Sequence, residues 1–134
     1  MALRLGSVPV FVSDQDRALE FYRDKLGFEV VADIPVAERI RWVAVASRKG
    51  EAEIILYPPA FGGDKEEELK RRVGQWTGMV FLTEDIRATY EMLRQRGVEF
   101  EAEPSQQPWG GLETWFSDPD GNRLHLAQRP DWMT

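Results

Sequence analysis

The chain has no cysteine and a single histidine, His125. Without cysteine there can be no disulfide framework and no thiolate zinc or iron–sulfur site. No window approaches the ~18 consecutive apolar residues of a membrane-spanning helix. The opening "MALRLGSVPVFV" has neither the apolar h-region nor the cleavage site of a secretory signal, so the cytosol is the expected compartment. Positive charge is also short, with 17 Lys and Arg against 23 Asp and Glu and a net charge of −6. Such a surface repels a phosphate backbone and excludes nucleic acid as an expected partner. It favours cations over anions, although solubility is the preferred explanation of a charge this size. "FGG" and "WGG" lack the G-x-G-x-x-G spacing of a dinucleotide site, and no nucleophile motif is present.

What is present describes one soluble globular domain of 134 residues, 43% hydrophobic and 30% charged. The chain also repeats itself. "VSDQDRALEFYRDKLGFEVV" (12–31) matches "TEDIRATYEMLRQRGVEFE" (83–101), pairing Arg17-Ala18 with Arg87-Ala88 and Gly27 with Gly97. Two copies at this long a period are too few for a solenoid and indicate two related modules. Each copy follows a short apolar run, "VPVFV" (8–12) or "MVFL" (79–82).

The local signals predict a helix in each copy. Ser13 or Asp14 is expected to cap the first, with Ala18, Phe21, Tyr22 and Leu26 on its apolar stripe. Thr83 or Glu84 is expected to begin the second, with Ile86, Tyr90 and Leu93 as its stripe. Gly27 and Gly97 supply the left-handed stops. Strands are predicted at 28–34, 41–47 and 52–58, and again at 98–104, 112–117 and 123–128. Both modules therefore read β-α-β-β-β, spanning about 4–58 and about 78–128, with a short tail at 129–134. The connector between them (about 59–77) contains "DKEEELKRRV", a short solvated helix with i,i+4 pairs Glu66–Lys70, Glu67–Arg71 and Glu68–Arg72.

Taken together, "VSDQDRALEFYRDKLGFEV", "EDIRATYEMLRQRGVEF", "EPSQQPWGG" and "SDPDGNRLHL", duplicated and in this order, resemble the vicinal oxygen chelate superfamily. That superfamily includes glyoxalase I, extradiol dioxygenases, and bleomycin and fosfomycin resistance proteins. The resemblance covers about residues 4–128. It implies an α+β fold in which two β-α-β-β-β modules form a cupped mixed sheet, whose concave face is the cavity, often at a dimer interface. In the metal-using members, four strand positions carry His or Glu ligands. The resemblance places these at Ser7, at Ile54 or Ile55 (with Glu53 close by), at Gly78 or Met79, and at His125. Only His125 coordinates well, so no metal and no other cofactor is expected.

The cavity implied by the resemblance is lined by Ser7, Phe11, Ile55, Gly78, Trp109, Trp115 and His125. Strand alternation then puts Pro9 and Phe11 on the face of Ser7, with Val8, Val10 and Val12 against the helices, and puts Arg123 and Ala127 on the face of His125. Trp109, in the glycine-flanked loop "QPWGG", is the candidate mobile wall of the mouth, and Trp115 the inner one. Glu53, Glu101 or Glu113 could approach His125, and the sequence does not choose among them. "DPDGN" (118–122) is read as turn architecture. The expected function is metal-free binding of a small organic molecule, planar or cationic, by a homodimer. The alternative is a metal-dependent glyoxalase-like lyase or isomerase, or a dioxygenase, with a non-standard site around His125. A cavity-less dimerisation module is the third reading.

Overall fold

The computed structural model describes residues 2–133. Two compact units are present, one ending at Gly74 and the other beginning at Gln75. Each carries its own mixed sheet, in keeping with the expected α+β class.

In the first unit, strand β1 (Ser7–Phe11) alternates as its sequence requires: Val10 and the following Val12 are buried while Ser7 and Pro9 are exposed. Helix α1 (Gln15–Leu19) starts after Asp14, whose carboxylate accepts from the Arg17 amide at 3.1 Å. The expected α-helix does not continue regularly. From Glu20 to Lys25 it widens into a π-type winding, with the Leu26 amide donating to the Phe21 carbonyl. The wider turn reduces the angle between successive side chains, letting the neighbours Phe21 and Tyr22 both reach the core with their rings edge to face at 5.1 Å.

Strands β2 (Glu29–Ala37), β3 (Ile40–Ala46) and β4 (Glu53–Tyr57) complete a sheet of order β1-β4-β3-β2, with β1 parallel to β4 and the other pairs antiparallel. β2 runs three residues beyond its expected end and contains Pro35, which the sheet tolerates because this is an edge strand. Buried Gln15 ties helix to sheet. Its amide donates to the carbonyls of Arg41 (2.6 Å) and Leu56 (3.0 Å) and accepts from the Arg41 amide (3.1 Å). Beyond β4, a 3-10 segment (Pro59–Lys65) leads into α2 (Glu66–Lys70), where the pairs Glu66–Lys70 and Glu68–Arg72 form as expected and Glu67 meets Lys70 at 3.1 Å.

The second unit repeats the topology. Strand β5 (Trp76–Leu82) begins two residues before the expected module boundary. Helix α3 (Ile86–Gln95) is capped by Asp85, not by Thr83 or Glu84; its carboxylate accepts from the Ala88 amide at 3.1 Å. The predicted stripe of Ile86, Tyr90 and Leu93 is buried. Of the strand expected at 98–104 only β6 (Glu99–Phe100) forms, because the chain bends at Glu101–Ala102, where the Thr114 hydroxyl captures the Ala102 carbonyl; a further short strand, β7 (Ser105–Gln106), lies beyond the expected end. β8 (Leu112–Ser117) and β9 (Arg123–Gln128) lie where predicted, in a sheet ordered β5-β9-β8-β6 with β7 also on β8. The 118–122 turn between them is architectural. Asp118 is buried, accepts from the amides of Asp120 and Asn122, and bonds the Asn122 side chain at 2.8 Å.

Candidate ligand-binding site

The antiparallel register of β8 and β9 sets Trp115 opposite His125, Ser117 opposite Arg123 and Glu113 opposite Ala127. Alternation sends Phe116, Leu124 and Leu126 into the core, where Phe116 meets Phe81 and Phe100. Glu113, Trp115, Ser117, Arg123 and His125 are left on the opposite face. There the imidazole of His125 stacks on the indole of Trp115, and the Arg123 guanidinium lies 4.6 Å from the centre of the same indole. Arg123 is gripped by Glu101 through two bonds of 2.8 and 3.1 Å, and that hydrogen bonding raises its pKa. Its positive charge is thus already partnered.

Of the three glutamates that could have approached His125, Glu113 does so. Its Oε2 lies 2.7 Å from Nε2, and the two side chains are only 19% and 15% exposed. The contact is short, but no hydrogen bond joins the two groups. The fully buried Nε2 makes no hydrogen bond among the described residues. A buried ring nitrogen without a hydrogen bond is poorly satisfied.

Strand β5 extends the same face. In its parallel register with β9, Trp76 stands opposite Arg123, Val80 opposite His125 and Leu82 opposite Ala127. The register jumps between Trp76 and Val80, and Gly78 sits in this irregularity at φ 77°, a conformation that favours glycine. The Thr77 hydroxyl secures it, donating to the Arg123 carbonyl and accepting from the Met79 amide. The residue opposite His125 is Val80, and Gly78 lies in the irregularity two residues before it. Trp76, Val80 and Leu82 expose 64%, 51% and 51% of their surface, and the Trp76 ring meets Trp115 edge to face at 6.3 Å. At the other side of β8, where β6 breaks from β7, a shallow pocket of about 290 Å³, counting its open mouth, is bordered by Glu101, Glu103, Glu113 and Trp115.

Trp109 lies in the loop between β7 and β8, which is closed by Gln107–Gly111 and Gly110–Gln107 backbone bonds. Its indole folds over Gly111, where a Cβ would collide with the ring. The loop joins β8 at Leu112, three residues from Trp115, or about 10 Å along the strand.

Ser7, Phe11 and Ile55 belong to the first unit. The parallel register of β1 and β4 puts Ser7 beside Glu53, Pro9 beside Ile55 and Phe11 beside Tyr57. Ile55, not Ile54, therefore shares the face of Ser7, but it is buried. That face also holds an aromatic cluster: Phe11 meets Tyr57 at 5.5 Å, Tyr57 meets Phe61 at 5.2 Å, and Phe61 stacks with Trp42 at 6.1 Å. Sequence reasoning named Phe11 and missed the other three as a group. Period-two alternation along "EIILY" does pair Tyr57 with Ile55, whereas Phe61 lies outside any strand and carries no periodic signal.

The donor set does not fit the divalent ion of the metal-using relatives. Ser7, Ile54 or Ile55, and Gly78 or Met79 are poor or absent ligands, and no group of three or more His, Asp or Glu among the described residues could hold a metal.

Residues 4–126 match the family model described as the Glyoxalase/Bleomycin resistance protein/Dioxygenase superfamily. A superfamily member of known structure from Sphaerobacter thermophilus is 37% identical, covers 95% of this chain and 98% of its own, and superposes with a TM-score of 0.83. TnmS3, an antibiotic binding protein from Streptomyces sp. CB03234, is 30% identical over 97% of this chain and 99% of its own, with a TM-score of 0.75. A probable lactoylglutathione lyase from Synechocystis is 30% identical over 121 residues, 87% of this chain and 88% of its own. With the duplicated mixed-sheet topology and a family match spanning nearly all of it, the chain belongs to the glyoxalase/bleomycin resistance protein/dioxygenase superfamily.

Proposed function

We propose that this protein binds a small planar organic molecule without a metal, holding it rather than transforming it. The observation that carries this reading is the aromatic face of the second unit: an exposed Trp76 edge to face with Trp115, whose own ring is stacked by His125 and Arg123. Because Trp115 already has partners on its ring, it serves as a rigid wall, and Trp76 offers the open stacking surface. Val80 and Leu82 continue that surface with apolar area, which suits a flat ligand's need for burial. The antibiotic binding relative TnmS3 supports binding over turnover. The metal-dependent lyase or dioxygenase alternative is disfavoured by the donor set around His125. Trp109 keeps its proposed place as a wall at the Leu112 end of β8, and Ser7, Phe11 and Ile55 theirs as lining residues of the first unit's face.

We also propose that the working form is a cytosolic homodimer. No helix among the described residues is long and apolar enough to cross a membrane. Edge strand β2 exposes Val30, Ile34 and Val36, and an apolar edge strand invites pairing.

The test is a fluorescence titration of wild type and Trp76→Ala with a panel of acridines and anthraquinones. Saturable one-to-one binding of at least one compound, weakened about three- to thirty-fold in the variant, is expected from the loss of an aromatic contact. If no compound binds, or if Trp76→Ala binds like wild type, the reading fails.

A further inference from the structure

We infer that Glu113 selects the charge of the ligand, so that the favoured molecule carries an ammonium or other cationic arm beside its planar ring. This inference rests on the proposed planar-ligand site and names what that site discriminates. Glu113 is a carboxylate with 19% of its side chain exposed, and among the described residues neither a lysine nor an arginine pairs with it. A carboxylate so far removed from water is costly unless a positive charge or donated hydrogen bonds compensate it. Arg123 is close in the sheet but is committed to Glu101 by two hydrogen bonds. Among the described residues the one short ionic contact of Glu113 is to His125, whose Nε2 lies 2.7 Å from Oε2 without forming a hydrogen bond. Protein groups therefore leave this acceptor incompletely served.

A second observation says where the missing charge would come from. The pocket at the break between β6 and β7 is bordered by Glu113 itself, with Glu101 and Glu103 on the rim and Ser105, Gln107 and Thr114 as further polar lining. Trp115 is common to that pocket and to the aromatic face. A ring lying against Trp76 and Trp115 can thus place a flexible substituent into the pocket, where carboxylates are the charged side chains of the lining and disfavour an anionic one. Glu101 is neutralised by Arg123, so Glu113 and Glu103 supply the attraction, and Glu113, the more buried, supplies most of it because screening there is weakest.

The experiment compares quinacrine, an acridine with a dialkylaminoalkyl arm, with the same aminoacridine ring lacking that arm, by fluorescence titration at neutral pH. Wild type is expected to bind quinacrine at least about ten-fold more tightly than the arm-less ring, with the ratio shrinking as potassium chloride is raised. Glu113→Gln is expected to bring the ratio within about two-fold. Glu67→Gln, on the exposed α2, is expected to leave the wild-type ratio. A purely structural role for Glu113 would weaken both compounds alike and keep the ratio, which overturns the inference. A wild-type ratio near one, with both compounds binding, overturns it too and leaves the planar-ligand reading standing. Failure of both compounds to bind wild type overturns the planar-ligand reading and this one with it. Should Glu113→Gln not fold, the salt dependence of the wild-type ratio decides: a salt-independent ratio overturns the inference.

Discussion

The imidazole of His125 lies flat on the indole of Trp115, with centroids 4.2 Å apart and planes within 3°. The two residues are direct cross-strand partners on β8 and β9, so the sheet register enforces the stack. This explains why the chain's single histidine sits beside a tryptophan: its ring is held as a planar surface, and its Nε2 is turned toward Glu113.

Removing that partner should be felt in stability. Trp115→Ala deletes the ring on which His125 and Arg123 rest and leaves a gap in a half-buried sheet face. A loss of about 2–3 kcal/mol is expected in urea denaturation, below the full cost of a buried tryptophan because Trp115 is partly exposed. Trp76→Ala, on a residue that is 64% exposed, should shift the midpoint little. Equal losses for the two variants would contradict the assignment of Trp115 as wall and Trp76 as open surface.

Metal should not be retained. Purified protein incubated with zinc, nickel, manganese or iron and then dialysed is expected to hold well under one equivalent by elemental analysis, and His125→Ala should not change the result. About one tightly held equivalent, lost in His125→Ala, would promote the lyase or dioxygenase alternative.

Gly111 should not accept a side chain. A Cβ there would run into the Trp109 ring and lie 2.7 Å from the Gln128 carbonyl, which is backbone and cannot swing away. Gly111→Ala is expected to displace Trp109, red-shift its emission and cost about 1–3 kcal/mol. An unshifted spectrum in a background where Trp109 is the dominant emitter would show that the loop yields without moving the ring.

Gln15 is the polar clamp of the first unit. Gln15→Leu removes its three hydrogen bonds, leaving the buried Leu56 carbonyl and the part-buried amide and carbonyl of Arg41 without this partner, an expected cost of about 2–4 kcal/mol. Thermal unfolding that matches wild type would refute it.

The dimer is tested by sedimentation. A mass of two chains is expected, with Ile34→Lys, on the edge strand β2, shifting the equilibrium toward one. A single-chain mass that does not change with concentration would remove the proposal.

The sequence by itself determined the duplication, the helices and most strands, because those depend on local periodicity, caps and glycine stops that each segment carries within itself. Alternation along "SVPVFV" and "RLHLAQ" sends Val10, Val12, Leu124 and Leu126 into the core, although Val8 is only half-buried and Ala127, on the face of His125, is buried too. What only the tertiary structure decided depends on pairing between strands distant in the chain. Glu113 reaches His125, while Glu101 turns to Arg123, because of the β8–β9 register and the bend after β6. Val80 stands opposite His125 because a bulge at Gly78 shifts β5, an insertion no local pattern announces. Cap choice at Asp85 likewise followed from tertiary contact, since the Ile86 amide there is taken by Gln128, forty-two residues along the chain. Local sequence fixes which face a side chain takes, whereas register, which fixes its neighbours, is set jointly by segments that meet only on folding.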